Sequence, residues 1–98
     1  MTPHGTIHSL KPNEDIAIHG MAEALPRPHF KRLLESVREN GQQKPGFAIE
    51  VDGERQLLDG VTRYRVSKQL EREFLYEVGE IDCDPCEWIL RNLTLTRR

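Results

Sequence analysis

Residues 58–66 read Leu58-Asp59-Gly60-Val61-Thr62-Arg63-Tyr64-Arg65-Val66, and the hydrophobic pattern changes its period within this stretch. Residues 56–58 have the character of a short strand, whereas after Gly60 the apolar positions Val66 and Leu70 return at helical spacing. A strand is therefore predicted to turn directly into a helix at Gly60. A glycine at such a junction lets the backbone approach an anion and exposes the free amides of the first helical turn. The stretch is our candidate phosphate-binding corner.

Side chains of the same stretch add to this hypothesis. Thr62 offers a hydroxyl donor, and Arg63 offers a charge-assisted fork to phosphate oxygens. Arg65 and Lys68 follow, and residues 61–68 contain no carboxylate, so the sequence predicts a locally basic patch. The alternative is that the glycine serves only as a tight turn and that the cations form a solvated helix face.

The first half of the chain shows a strand, a loop and a helix. Residues 7–10 are predicted to be an edge strand. Residues 14–26 are predicted to be mostly loop, with residues 16–18 as the alternative of a short extended piece. A helix is predicted over residues 28–40, ending at the C-cap Gly41, because its apolar residues recur at i, i+3, i+4 and i+7. The residues expected to be buried on it are Phe30, Leu33, Leu34 and Val37.

Two further strands form a predicted hairpin. Apolar residues alternate over residues 47–51, the dipeptide Asp52-Gly53 is typical of a tight hairpin turn, and residues 56–58 return as the second strand. Residues 74–78 alternate in the same way, and we expect this strand to continue to Ile81 past a bulge at Gly79.

The last element is a predicted helix that begins at Asp84-Pro85-Cys86-Glu87. Asp84 is expected to be the N-cap, and Glu87 is placed to reach back to the N-cap amide. Cys83 and Cys86 form a C-x-x-C pattern, which is typical of redox sites at helix starts but equally of buried structural thiols. We expect both thiols to be reduced and dispensable. No metal site is predicted, because the histidines lack paired spacing.

Length and charge limit the function classes. A chain of 98 residues suits a single domain with a modest core. Its 14 Lys and Arg against 16 Asp and Glu give a formal net charge of −2, which argues against gripping DNA or an anionic membrane with the whole surface. No apolar run approaches the roughly 20 residues that span a bilayer, and no signal peptide is evident, so we expect a cytoplasmic location and no membrane partner.

Four stretches in order resemble the first domain of the ParB family along residues 7–80. They are the opening strand and Pro-Asn turn of residues 7–13, the helix of residues 30–40, its end at residues 39–45 with a glycine and then a proline, and the hairpin with residues 58–66. The last stretch is similar to the Gly-Glu-Arg-Arg phosphate-binding box of that family. The resemblance implies an α/β (α+β) fold of ParB/sulfiredoxin-like type, with a small mixed sheet and packed helices.

The resemblance also implies a ligand and a setting. The ligand is a nucleoside triphosphate, CTP or ATP, with or without Mg²⁺, and Gly60 and Arg63 carry over as the phosphate-contacting turn and cation. Val61 and Thr62 stand where the family usually has Glu and Arg. Asn92 resembles the start of a second family motif, although Leu95 stands where that motif has Arg. The expected ligand-contacting residues are Gly60, Val61, Thr62, Arg63, Arg65 and Asn92.

The implied protein is a partition, regulatory or mobile-element protein that contacts DNA through a separate domain. We expect residues 1–98 to be the N-terminal part of such a protein, with a homodimer left open. Sulfiredoxins share the fold and a Gly-Cys-His-Arg-Tyr box, but Val61 occupies the position of the catalytic cysteine, so sulfiredoxin activity is not expected. Two alternatives stay open: a ParB-like nuclease or nucleotide hydrolase, and a pure protein-interaction domain.

Overall fold

Nine elements make up the chain in a computed structural model that describes residues 6–23 and 30–96, the side chains of residues 93–96 excepted. They follow in the order β1 (Thr6–Leu10), β2 (Ala17–Ile18), α1 (Gly20–Glu23), α2 (Phe30–Asn40), β3 (Gly46–Val51), β4 (Glu54–Asp59), α3 (Val61–Gln69), β5 (Phe74–Gly79) and α4 (Pro85–Thr96).

The five strands form a mixed sheet in the order β1-β5-β3-β4-β2. β5 pairs antiparallel with β1 and parallel with β3, while β4 pairs antiparallel with β3 and parallel with β2. A mixed sheet with packed helices is an α+β architecture. The predicted fold class and the predicted edge position of β1 are thus confirmed.

The β3–β4 hairpin closes as the sequence predicts. Asp52 and Gly53 both have positive φ, at 53° and 81°, which is the conformation that a two-residue hairpin turn of type I′ requires. The only register shift in this pair falls between Phe47 and Ala48. The predicted bulge and extension around Gly79 are wrong, because β5 ends at that residue and Ile81 packs against the core from outside the strand.

Helices cover both faces of the sheet. On one face, the ring of Tyr64 from α3 meets the ring of Phe74 edge-on, with centroids 5.4 Å apart. On the other face, Phe47 stacks with Trp88 from α4 at 4.9 Å. The core between these layers is aliphatic and aromatic, and its most deeply buried side chains are Leu57, Leu58, Val66, Ser67 and Phe74.

The predicted helix over residues 28–40 is described from Phe30 to Asn40, and residues 28 and 29 lie outside the described part. The helix ends before Gly41, whose amide donates to the Val37 carbonyl at 2.8 Å. Of its four expected core residues, only Val37 is buried, and the other three are half-buried. The reason is that α2 packs mainly against α3, and one helix covers a narrower stripe than a sheet does.

Two short elements fall where the sequence predicts mostly loop. Within residues 14–26, β2 pairs with β4 and α1 follows directly, while residues 24–26 lie outside the described part. At the start of α4, the Cys86 amide donates to Asp84 at 3.0 Å, which confirms the N-cap. Glu87 does not reach back to that cap. It pairs with Arg91 one turn later, at 2.5 Å.

Candidate phosphate-binding corner

The backbone turns from β4 into α3 at a single residue. Gly60 has φ 89° and ψ 21°, and its carbonyl accepts the first helical hydrogen bond from the Tyr64 amide at 2.8 Å. No side chain caps the start of α3 within the described residues. The amides of Val61, Thr62 and Arg63 therefore form an uncapped first turn at the positive end of the helix dipole.

A second glycine brings another backbone segment against this turn. A Cβ added at Gly60 would lie 2.9 Å from the Cα of Gly46, and one added at Gly46 would lie 2.6 Å from Cζ of Phe74. Neither position leaves room for a side chain. Gly46 was not identified from the sequence, where Pro45-Gly46 indicates only the entry to a strand.

The Arg63 guanidinium lies over the turn. Its Nη2 is 3.3 Å, and its Nε 3.6 Å, from the position that a Cβ on Gly60 would take. Nη2 also lies 3.8 Å from the Asp59 carboxylate, which is a loose ion pair. Nε is buried without an acceptor among the described residues. A buried donor normally has a partner, so the donor set at this corner fits an oxyanion ligand such as a phosphate group.

The other cations of α3 are engaged by carboxylates from the first part of the chain. Arg65 pairs with Glu23 of α1 at 3.0 Å, and Lys68 pairs with Asp15, which also accepts a hydrogen bond from the Tyr64 hydroxyl at 3.2 Å. The hydrogen bond from Lys68 lowers the pKa of Asp15, and the same bond raises the pKa of Lys68. The prediction of a basic patch is therefore wrong. The cations are present on α3, but carboxylates distant in sequence balance their charge.

The remaining predicted ligand-contacting residues are placed differently. Val61 is buried, so only its backbone faces the turn, whereas Thr62 is half-buried in the first turn itself. The Asn92 side-chain amide donates to the Trp88 carbonyl at 2.9 Å within α4, which lies on the opposite face of the sheet from α3. Arg63 is thus the side chain that the structure brings to Gly60, and a role for Asn92 or Arg65 stays a prediction.

A wide polar depression of about 1060 Å³ lies near the β3–β4 hairpin, away from Gly60. The Arg55 guanidinium on its wall donates to the Tyr76 hydroxyl at 2.9 Å. None of the described residues that line it belongs to the predicted site. Its charged side chains are mostly carboxylates that would repel phosphate: Glu14, Asp15, Glu50 and Glu54. We place the candidate site at the glycine turn for this reason.

The thiols and the acidic groups are the remaining candidates for chemistry. Cys83 and Cys86 are half-buried and are not joined in a disulfide. Within residues 6–23 and 30–96, no three His, Cys, Asp or Glu side chains are grouped so that they could hold a metal ion. No helix in the same residues is long and apolar enough to cross a membrane.

Comparisons with known proteins bear on the fold. No protein-family model matches the sequence, and no curated protein matches it either. Among solved structures, the C-terminally truncated chromosome-partitioning protein ParB from Caulobacter crescentus, complexed with CTP-γ-S, matches with TM-score 0.72 and 18% identity. That match covers 96% of this chain and 56% of the ParB chain.

Two other solved structures also match the fold of this chain. A pNOB8-like ParB-N domain matches with TM-score 0.66 and 20% identity, over 84% of this chain and 32% of that one. Sulfiredoxin from Arabidopsis thaliana matches with TM-score 0.62 and 25% identity, over 89% of this chain and 94% of that one. The chain thus spans about half of one ParB structure and about a third of the other. These likenesses, together with the mixed five-stranded sheet, show that the chain has the ParB/sulfiredoxin-like fold.

Proposed function

We propose that this chain is a nucleotide-binding ParB-like domain, and that the corner at Gly60 holds the phosphates of a nucleoside triphosphate. The observation that carries the proposal is the Arg63 guanidinium folded over Gly60, beside an uncapped helix start. Backbone amides and an arginine fork are the donors that phosphate oxygens prefer. The ParB structure in the comparison was solved with CTP-γ-S, which supports CTP as the first ligand to test and ATP as the second.

Each part of the corner has a role in this proposal. The amides of the first turn of α3 bind phosphate oxygens, and the two glycines let the backbone come close. Arg63 exchanges its loose 3.8 Å pair with Asp59 for a closer contact with phosphate. Asp59, the last residue of β4, directly precedes Gly60, and its carboxylate would be available to a Mg²⁺ ion carried by the nucleotide. Sulfiredoxin chemistry has no place here, because the buried Val61 side chain offers no thiolate.

The wider setting is also a proposal. The matched ParB from Caulobacter crescentus is a chromosome-partitioning protein, and this chain spans only part of the ParB structures that it matches. We place it as the nucleotide-binding part of a cytoplasmic partition, regulatory or mobile-element protein, with DNA contacted by another domain. Whether the nucleotide is hydrolysed is a separate question, which magnesium-dependent release of phosphate from CTP or ATP answers directly.

The test is a titration of CTP, ATP and GTP into the wild-type chain and an Arg63→Ala variant, followed by calorimetry. We expect Arg63→Ala to weaken binding by about 1.5 to 3 kcal/mol, the scale of a hydrogen bond to a charged group. Arg63→Lys should recover only part of the loss, because lysine keeps the charge without the fork. The fold should not change, because the Arg63 side chain is half-buried and the ion pair that it forms among the described residues is loose.

Arg91→Ala is the matched control. Arg91 is an exposed arginine on α4 whose partner, Glu87, lies four residues before it, as Asp59 does before Arg63. Its loss should leave nucleotide binding unchanged. Indistinguishable curves for wild type and Arg63→Ala would mean that Gly60 is only a turn, and the proposal would fail.

A further inference from the structure

A tryptophan side chain lies close to the corner at Gly60. Trp88, on α4, stacks on Phe47 of β3 with ring centroids 4.9 Å apart. Phe47 directly follows Gly46, whose Cα would lie 2.9 Å from a Cβ added at Gly60. Two contacts therefore connect the indole ring to the turn: that of Trp88 with Phe47, and that of Gly46 with Gly60.

The Arg63 guanidinium reaches the face of the sheet that α4 covers. Asp59 lies directly opposite Phe47 in the antiparallel pair of β3 and β4, so the side chains of these two residues share a face. Trp88 packs on Phe47 at that face. Nη2 of Arg63 comes to 3.8 Å from the Asp59 carboxylate. A phosphate held by Arg63 is therefore expected at the end of the sheet on the side of α4, although α3 itself packs on the other face.

Part of the Trp88 indole is accessible. Trp88 is half-buried, whereas its neighbours Phe47 and Ile89 are only 7% and 2% exposed. α4 also contacts β4, the strand that ends at the corner. A flat aromatic ring beside a phosphate site is a surface on which a nucleobase stacks, and such stacking tolerates every base because each has a π-face. The indole and the corner together offer both parts of a nucleotide site.

We infer that Trp88 is the platform on which the base of the bound nucleotide stacks. The inference rests on the proposed function, because phosphates bound at Gly60 are what bring the base to the indole. The amides of α3 and the Arg63 guanidinium hold the phosphates, and the indole holds the base across the ends of β3 and β4. An inorganic triphosphate fills only the first of these two parts. Stacking on Trp88 thus selects a nucleotide over a bare phosphate chain.

The fluorescence of Trp88 tests the inference on the wild-type chain, because the sequence contains no other tryptophan. CTP and ATP are titrated alongside inorganic tripolyphosphate, and a parallel titration of N-acetyltryptophanamide corrects for absorption by the nucleotides. The two nucleotides are expected to quench the emission of Trp88 as they bind, with the dissociation constants that calorimetry gives. Tripolyphosphate should bind at the corner and leave the emission unchanged.

Variants separate the base from the phosphates. Trp88→Leu should weaken CTP about fivefold or more, the lower end of the effect of removing an aromatic platform under a base, and should bind tripolyphosphate as wild type does. Trp88→Phe keeps a ring that can stack on a base, so it should lose less affinity for CTP than Trp88→Leu. It also serves in place of Trp88→Leu if circular dichroism shows that the latter is not folded.

Two further variants complete the comparison. Arg63→Ala should weaken CTP and tripolyphosphate alike, because it removes a phosphate contact. Leu90→Ala is the matched control, since Leu90 is a large apolar residue of α4 that is 48% exposed. It should change neither affinity.

Three results would overturn the inference. CTP could bind without quenching Trp88, tripolyphosphate could quench the emission as strongly as CTP does, or the folded Trp88 variants could bind CTP as tightly as wild type. In each case the phosphate corner at Gly60 would stand, since its own test is the loss of affinity in Arg63→Ala. If neither CTP nor tripolyphosphate binds, the proposed function fails and the inference fails with it.

Discussion

At the scale of single residues, the contact between Gly60 and Gly46 is the tightest constraint on the candidate site. A Cβ on Gly60 would meet the Gly46 Cα at 2.9 Å, and the φ of 89° is one that L-residues rarely adopt. Because the obstacle is backbone, it cannot rotate away. We predict that Gly60→Ala lowers the free energy of unfolding by about 1 to 3 kcal/mol, measured by urea denaturation.

Gly20→Ala is the control for this prediction. Gly20 lies at the start of α1, and a Cβ added there would meet nothing within 4 Å. Its replacement should be neutral or slightly stabilising, since alanine is the better helix former. Equal effects of the two substitutions would show that the corner is looser than the geometry indicates.

The Asp15–Lys68 pair predicts a dependence of stability on pH. Its hydrogen bond lowers the pKa of Asp15 in the folded chain, so this contribution is present above the pKa of the unfolded carboxyl, about 3.9. It is lost as the pH falls through the lower, folded value. The unfolding midpoint of wild type should therefore fall more steeply than that of Asp15→Asn between about pH 5 and about pH 2.

Lys68→Met tests the same pair from the other side. Without the ammonium group, the pKa of Asp15 should return toward its ordinary value, which carboxyl resonances report directly. An unchanged titration of Asp15 in Lys68→Met would contradict the assigned cause. The Asp15–Lys68 pair would then not help to hold the loop between β1 and β2 against α3.

Sequence reasoning at this scale succeeds where partners are close in the chain. Gly60 and Arg63 are three residues apart, so strand, turn and first helical turn can be read together. The partners of Lys68 and Arg65 lie 53 and 42 residues away, and no local pattern encodes them. The prediction of a basic patch was wrong for this reason.

At the scale of elements, α2 gives a stability prediction that differs from the one its sequence supports. Helical spacing treats Leu34 and Val37 as equivalent core residues, but Val37 is buried and Leu34 is half-buried. We predict that Val37→Ala costs about 2 kcal/mol, from two lost methyl groups and a residual cavity. Leu34→Ala should cost less, although it removes more atoms.

Urea denaturation of both variants at neutral pH measures the difference. Glu35→Ala, at an exposed position between them, should change stability by less than about 0.5 kcal/mol. A larger loss for Leu34→Ala than for Val37→Ala would mean that α2 is rotated about its axis relative to the structure.

The elements differ in how far their formation depends on residues that are close in the sequence. The β3–β4 hairpin and the start of α4 follow from the turn pair Asp52-Gly53 and the N-cap Asp84, which act within a few residues. β2 is different, because its two residues become a strand only by pairing parallel with β4. The apolar residues 16–18 left a short extended piece as an alternative to loop, but so short a pattern cannot indicate the strand with which it pairs.

At the scale of the whole molecule, the order of the strands in the sheet could not be predicted from hydrophobic periodicity alone. β1 and β5 are neighbours although 63 residues lie between Leu10 and its partner Phe74, and β3 lies between β5 and β4 without any local signal. Only the resemblance of four stretches in order indicated the ParB/sulfiredoxin-like fold, and solved structures of that fold match the chain. The order of motifs carried information that no single element held.

Charge at this scale leads to a prediction about DNA. The formal net charge is −2, and the three cations of α3 that would form a basic face are each within 4 Å of a carboxylate. Non-specific affinity for DNA comes mainly from the release of counterions by unpaired Lys and Arg. We predict that the isolated chain binds duplex DNA more weakly than about 10⁻⁴ M at physiological salt, the weak end of non-specific binding.

Fluorescence anisotropy with a labelled duplex, repeated over a range of salt concentrations, measures this affinity and its salt slope. The double variant Asp15→Asn, Glu23→Gln frees Lys68 and Arg65 from their carboxylates, so it should bind DNA more tightly and with a steeper slope. The variant Glu54→Gln, Glu80→Gln is the control, since it changes the net charge equally but removes carboxylates that pair with no cation among the described residues. Tight, salt-dependent binding by wild type would contradict the prediction. It would mean that DNA displaces the carboxylates and binds the cations of α3 directly.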